Sequence, residues 1–370
     1  MIASPTAVPT AAPHALLEPR AAGAARFSAP AYAPPAAEDD RTQAAAWTVA
    51  VHDRITALLT ALDGGGEFSE DAWARPGGGG GVSRTLSEGA TFEKAGVNRS
   101  TVHGTLPGSV RQRLGGRLPA GADAEAPVQF FATGVSVVVH PWSPMVPTTH
   151  LNVRYFELAD EAGAVWDRWF GGGTDLTPTY PCAADARHFH QALARACRPF
   201  GAGLYAAGKA WCDDYFVNTH RAGAGLGAGT VAGERRGAGG VFYDHVRPGE
   251  GLAAGLDAAG LHAFAVALGT VLDDAYAPVV ERRRHARHGA EARALQCERR
   301  GRYAEFNLLH DRGTLFGLQT GARVDSVLMS LPPAAAWPAP GPHAPGSIGA
   351  RLAEMLVPRD WLADGAGDDI

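Results

Sequence analysis

The chain has 370 residues, 46% hydrophobic and 19% charged, which is enough apolar content for a full core, and its apolar runs fall short of the roughly 18–20 residues of a membrane span. A formal net charge of −5, with no basic block interleaved with aromatic residues, argues against nucleic acid as a partner. The four cysteines (Cys182, Cys197, Cys212, Cys297) form no C-x-x-C pair, which argues against a zinc ribbon or redox dithiol and for reduced thiols in a cytoplasmic protein.

Residues 1–40 are dominated by Ala and Pro without a 3.6 or 2.0 period and predict a disordered extension. Scarce acids before Glu38, with Arg20 and Arg26 present, leave a transit peptide as the competing reading. Apolar positions at helical spacing (Ala46, Val49, Ile55, Leu58, Leu59, Leu62) predict a helix over 42–62 that ends at Gly64-Gly65-Gly66. Next comes a glycine run at 77–81 between Arg75 and Arg84, a flexible loop able to approach an anion or a plain surface linker. Val135, Val137 and Val139 then alternate with Ser136, Val138 and His140, a strand; a connection containing Pro141, Pro144 and Pro147 leads to a second strand over 150–158. Parity puts Ser136 and His140 on one face, and His150, Asn152 and Arg154 on one face of the partner strand.

Further along, Gly171-Gly172-Gly173 predicts a turn before Asp175; it is not a P-loop, since no Gly-Lys-Ser/Thr follows. A helical pattern covers 185–216. Residues 222–238 read as an inserted Gly/Ala-rich loop with Arg235 and Arg236 at its far side. Residues 239–244 predict a strand ending in Asp244, 252–280 a long helix, and 281–302 a very basic one. Strands are predicted over 303–309, 314–319 and 326–331, a short amphipathic helix over 348–356, and a tail over 363–370. The order suggests an α+β fold: a large antiparallel β-sheet flanked by α-helices on both faces, in a single domain over 41–362.

If the two hairpin faces coincide, a hydroxyl, two imidazoles, an amide and a guanidinium converge. Burying them without a ligand would cost on the order of 1–3 kcal/mol per unpaired group, so a polar or charged ligand is the economical explanation. His140, His150, His190 and His220 lie on separate elements and could ligate a metal, although no carboxylate stands at a fixed spacing to complete a site. Asp213 and Asp214, shortly before His220 and Arg221, read equally as a solvated helix face. Asp244, an acid ending an apolar strand beside two glycines, is costly to place unless it meets a donor and is the preferred catalytic carboxylate.

Taken together, VSVVVHPWSPMVPTTHLNVRYFE, WFGGGTDLTPTYP, KAWCDDYF with THR, GGVFYD and RGRYAEFNLLHDRGTLFGLQTGARVDSVLMSLPP resemble the oxygen-dependent coproporphyrinogen III oxidase family over about 68–361. The resemblance implies oxidative decarboxylation of two propionates of coproporphyrinogen III to vinyls, giving protoporphyrinogen IX, with O2 as co-substrate and no organic cofactor. It also implies a homodimer whose interface is built by residues 303–338. Carried over, it makes Ser136, Asn152, Val153, Arg154, Gly321, Ala322 and Arg323 substrate contacts. It makes His140, His150, His190 and His220 ligands of a divalent metal, and His150 also the proton donor. Arg154, Arg221 and Arg323 suit a substrate with four carboxylates, because guanidinium groups hold planar carboxylates in register. This sequence departs from the family pattern at Asp244-His245, where a second acid is usual, at the 222–232 insertion, at Ala322 and at Trp142. A histidine-ligated non-haem iron oxygenase and a non-catalytic tetrapyrrole carrier are the alternatives.

Overall fold

The computed structural model describes residues 39–221, 233–319, 323–339, 341 and 343–363; the N-terminal extension, residues 222–232 of the inserted loop, Gly321, Ala322 and the tail beyond 363 lie outside them. The first helix, α1 (Asp40–Asp63), begins where the Asp39 carboxylate accepts the Thr42 backbone N–H at 2.7 Å, and ends where Gly64 turns left-handed at φ 78°. Its last residue, Asp63, accepts the backbone N–H groups of Gly66, Ala90, Thr91 and Phe92 at 2.7–2.9 Å, tying the helix to the sheet.

Strands β1 (Ser69–Ala74) and β2 (Gly79–Ser87) form a hairpin. The glycine run is therefore its turn and the start of β2, with Gly78 and Gly79 at φ 111° and 82°, and not an open anion loop; Arg84 is engaged by Asp53 and Glu70. After β3 (Phe92–Leu106) and the short α2 (Gly108–Arg113), the predicted hairpin appears as β4 (Val128–Pro141) and β5 (Thr148–Ala159), followed by β6 (Val165–Thr177). The triple glycine predicted as a turn lies inside β6. There Gly172 at φ 156° passes so close to Asn152 that a Cβ would lie 2.4 Å from its carbonyl.

The 185–216 pattern resolves into α3 (Ala183–Cys197) and α4 (Leu204–Tyr215), then the two-residue strands β7 (Val217–Asn218) and β8 (Glu234–Arg235), and β9 (Gly239–Val246). Among the described residues the main sheet runs β1-β2-β3-β4-β5-β6-β9, with every neighbouring pair antiparallel. The predicted α+β class holds, and the described residues fall in one compact unit.

Register gives the sheet two unlike faces. Val97, Val135, Val137, Val139, Leu151, Val153, Tyr155, Val241 and Tyr243 form an apolar face, buried with Trp47, Val51, Ile55 and Leu59 of α1 and Phe189 and Leu193 of α3. Leu261, Phe264 and Leu268 of α5 (Ala258–Gly269) complete this core, and α6 (Leu272–Ala275) and α7 (Ala277–Arg283) follow. By length and hydropathy, 258–283 could cross a membrane, contrary to the composition reading. It is broken into three helices, and 67% of its apolar window is buried in the fold, as befits a core element.

Over the opposite face lie α8 (Ala290–Leu309), α9 (Arg312–Gln319) and α10 (Val324–Val327), with α11 (Ile348–Met355) beyond. The strands predicted over 303–309, 314–319 and 326–331 are thus helical. Burial of Leu295, Arg299, Tyr303, Phe306 and Asn307 follows a 3.6 period that the aromatic content obscured. The basic stretch before them is also explained: Arg293 and Arg300 pair with Glu93 of β3, and Arg299 and Arg302 with Glu234 of β8, so these cations seat α8.

Candidate active site

One cross-strand row, Asp71, Ser83, Asn98, Ser136, Asn152, Gly173, Phe242, runs across the whole sheet on the face opposite the core. Directly paired residues of antiparallel strands share a face, so Ser136 and Asn152 do meet side by side, with His150 and Arg154 flanking Asn152 on β5. The Arg154 guanidinium donates to Asn152 Oδ1 at 2.8 Å and to Asp244 Oδ1 at 2.7 Å. It lies across Gly171, where a Cβ would sit 2.8 Å from its carbon and nitrogens, so the glycine of β6 leaves the arginine its bed.

Asp244 also accepts the His245 backbone N–H at 3.1 Å, and Arg312 of α9 stands 4.0 Å away. Burial alone would raise its pKa, but the contacts to His245 and Arg154 prevail and hold the carboxylate well below the usual range, ionised throughout neutral pH.

A second charged arrangement orients His150. Its Nδ1 donates to Asp175 Oδ1 at 3.1 Å, which turns Nε2 away from the carboxylate. Arg236, 1% exposed, donates to the same oxygen from a cage of Phe216, Tyr303 and Phe306, with its guanidinium carbon 3.8, 4.7 and 4.9 Å from the ring centres. Burial pushes Asp175 up, yet Arg236 and His150 override it and keep its pKa below the ordinary value.

Other predicted site residues sit elsewhere. The Val153 side chain is fully buried on the core face, so only its backbone belongs to the strand beside the site. Arg323 lies at the β1 end of the same polar face, paired with Asp71, and β1 stands about 14 Å from the Ser136 strand at a spacing of ~4.8 Å per strand. Arg221 pairs with Glu305 of α8, which also accepts the Trp337 indole N–H at 2.7 Å. Asp213 is engaged by Lys209 at 2.5 Å, a helix-face pair. Gly321 and Ala322 lie outside the described residues.

The four histidines do not meet at one point. His140 Nε2 donates to the Ser330 carbonyl at 2.9 Å, and its Nδ1 stands 3.4 Å from Thr148 Oγ1. His190 donates from Nε2 to the Ala238 carbonyl and accepts at Nδ1 from Tyr205. Burial pushes both imidazoles down to about 3, so both are neutral structural groups. His220 is placed between His310, at 2.7 Å, and Glu305, at 3.0 Å. Among the described residues no group of three or more His, Cys, Asp or Glu could hold a metal ion, so the expected four-histidine site does not fit this arrangement.

Sequence reasoning passed over Asp175, Arg236 and Arg312 as site residues. Asp175 carried the same signal as Asp244, an acid closing an apolar, glycine-bearing strand, but the glycines read as a turn. No local signal marks Arg236, whose aromatic cage comes from α8 and the end of α4.

The polar face therefore offers arginines and an ionised acid beside an oriented imidazole, the equipment for a ligand that carries both carboxylates and N–H donors. A family model described as coproporphyrinogen III oxidase matches residues 43–361, nearly the whole chain. The chain belongs to the coproporphyrinogen III oxidase family, oxidoreductases that oxidatively decarboxylate propionate groups in porphyrin biosynthesis.

Proposed function

We propose that this polar sheet face converts two propionates of coproporphyrinogen III to vinyls at the expense of O2, giving protoporphyrinogen IX without an organic cofactor. The Arg154–Asp244 pair at 2.7 Å on the sheet floor carries the reading. The substrate has pyrrole N–H donors at its centre and carboxylates at its rim. Asp244, held ionised, accepts the pyrrole N–H groups and orients the ring, while Arg154 engages a propionate. Arg323 and Arg312 stand on the same side of the sheet for other carboxylates. At each propionate a hydride leaves the β-carbon and the electrons of the C–CO2− bond form the double bond. O2 takes the hydride and one proton to become H2O2, and CO2 departs. His150, oriented by Asp175, supplies that proton from Nε2. No step is assigned to a metal.

We further propose a homodimer through 303–338. Five of the ten large, exposed hydrophobic side chains among the described residues (Leu308, Leu309, Leu318, Val324 and Trp337) fall in that stretch. All four cysteines are free, which suits the reducing cytoplasm. Aerobic and anaerobic incubation of chelator-treated protein with coproporphyrinogen III, followed by product analysis, tests the reading. Vinyl product only with O2 supports it. Loss of activity on chelation favours a metal oxygenase, and binding without O2 uptake a carrier.

A further inference from the structure

Strand β9 departs from regular pairing beside the site. Gly172 pairs with Tyr243 and Phe170 with Val246, so the single residue Gly171 faces both Asp244 and His245, a β-bulge. His245 takes φ 51° there, a left-handed conformation that a non-glycine residue adopts at a cost. Its ring stacks on Trp169 at 5.1 Å and 23°. Gly115, itself at φ 71°, gives the ring room: a Cβ there would lie 2.8 Å from His245 Nε2.

The ring nitrogens meet acceptors only. Nε2 stands 2.5 Å from the Leu114 carbonyl, and Nδ1 3.4 Å from Asp244 Oδ2. Neither a carbonyl nor an ionised carboxylate can donate, so a neutral imidazole satisfies one contact and leaves a lone pair against the other. The doubly protonated ring satisfies both. Asp244 is thereby held at each oxygen, Oδ1 by Arg154 and the His245 backbone N–H, Oδ2 by the His245 ring.

We infer that His245 is a positioning residue that, as an imidazolium, clamps Asp244 in the orientation that meets Arg154, and that turnover falls as rising pH removes the clamping proton. The inference rests on the proposed reaction at Asp244. The charges around the ring agree with it. Asp244 raises the imidazole above the usual histidine range, against burial and Arg247, and Arg247 is itself neutralised by Asp167 of β6 at 2.7 Å. Arg117, after α2, is paired with Glu250, and Arg154 of β5 and Arg312 of α9 reach the ring only through Asp244. A raised pKa means that the clamp is complete below the ordinary histidine value and is lost as pH rises through the raised one. It occupies a position where the family resemblance leads one to expect a second acid, which would repel Asp244 instead.

Two measurements test this together. Rate–pH profiles on coproporphyrinogen III compare the unaltered enzyme with His245→Asn, since asparagine tolerates the left-handed backbone. The unaltered enzyme should lose kcat/KM as pH rises above the ordinary histidine value; the variant should lack that limb and show kcat/KM about tenfold lower on its acid side. NMR titration of histidine-labelled protein should show one imidazole titrating above the ordinary range, absent from His245→Asn and lowered by Asp244→Asn. A limb that survives in His245→Asn, or a His245 ring titrating at or below the ordinary value, overturns the inference. Should the unaltered enzyme form no vinyl product, the proposed reaction fails, and the NMR titration alone then decides whether the clamp exists.

Discussion

Asp244, partly buried, and Asp175, fully buried, are both carboxylates kept ionised by arginine, yet their surroundings set them different tasks. Asp244 is paired with a partly exposed Arg154, so an Asp244→Asn variant should keep its stability to within about 1 kcal/mol in denaturant titration. Its kcat/KM should nevertheless fall by about 10²–10³-fold, because an amide no longer presents a charged acceptor to the pyrrole N–H groups. Near-normal turnover would remove Asp244 from the mechanism. Asp175 is sealed in with Arg236, and Arg236→Met should cost about 3–5 kcal/mol by leaving a buried carboxylate without its cation. The sign of the pH effect follows from the depressed pKa of Asp175. In the unaltered protein its contribution is complete above the usual carboxylate value and is lost as pH falls through the lowered one. In Arg236→Met burial dominates, so that acid-side loss should shrink or reverse, as read by unfolding midpoints between about pH 3 and 7.

Strand β6 shows what a helix or strand adds beyond its residues. Its glycines place bare backbone beneath Arg154, and Gly171→Val should displace the guanidinium and raise KM about tenfold with little change in secondary structure by circular dichroism. An unchanged KM would show that Arg154 needs no such bed. The hairpin that carries Ser136, His150, Asn152 and Arg154 was legible in the sequence, because period-two alternation across a half-polar sheet fixes which side chains share a face. The covering helices were not. Tyr303, Phe306 and Leu309 favour strands by local propensity, and only the buried arginines pairing with Glu93 and Glu234 reveal a helix pressed onto the sheet. The metal expectation failed to find its geometry for a related reason. Histidines on separate elements look alike in sequence, and tertiary packing alone distinguishes His140 and His190, locked to backbone carbonyls, from His150, paired with the Asp175 carboxylate.

For the whole molecule, a sheet with one apolar and one polar face divides the labour: the apolar side, under α1, α3 and α5, supplies the core, and the polar side, under α8 to α10, carries Ser136, Asn152, Arg154 and Asp244. The exposed Leu308 and Leu309 end α8, the helix that packs over the polar face, so association through them would couple assembly to the site. A Leu309→Glu variant should sediment as a monomer where the unaltered chain sediments as a dimer; if both behave alike, the interface lies elsewhere. The most direct measurement is product formation from coproporphyrinogen III by chelator-treated protein, followed with and without O2 and alongside Asp244→Asn. Vinyl groups, CO2 and H2O2 should form in equal amounts, only when O2 is present, and at a greatly reduced rate in Asp244→Asn. Turnover without O2, or full turnover by Asp244→Asn, would contradict this mechanism.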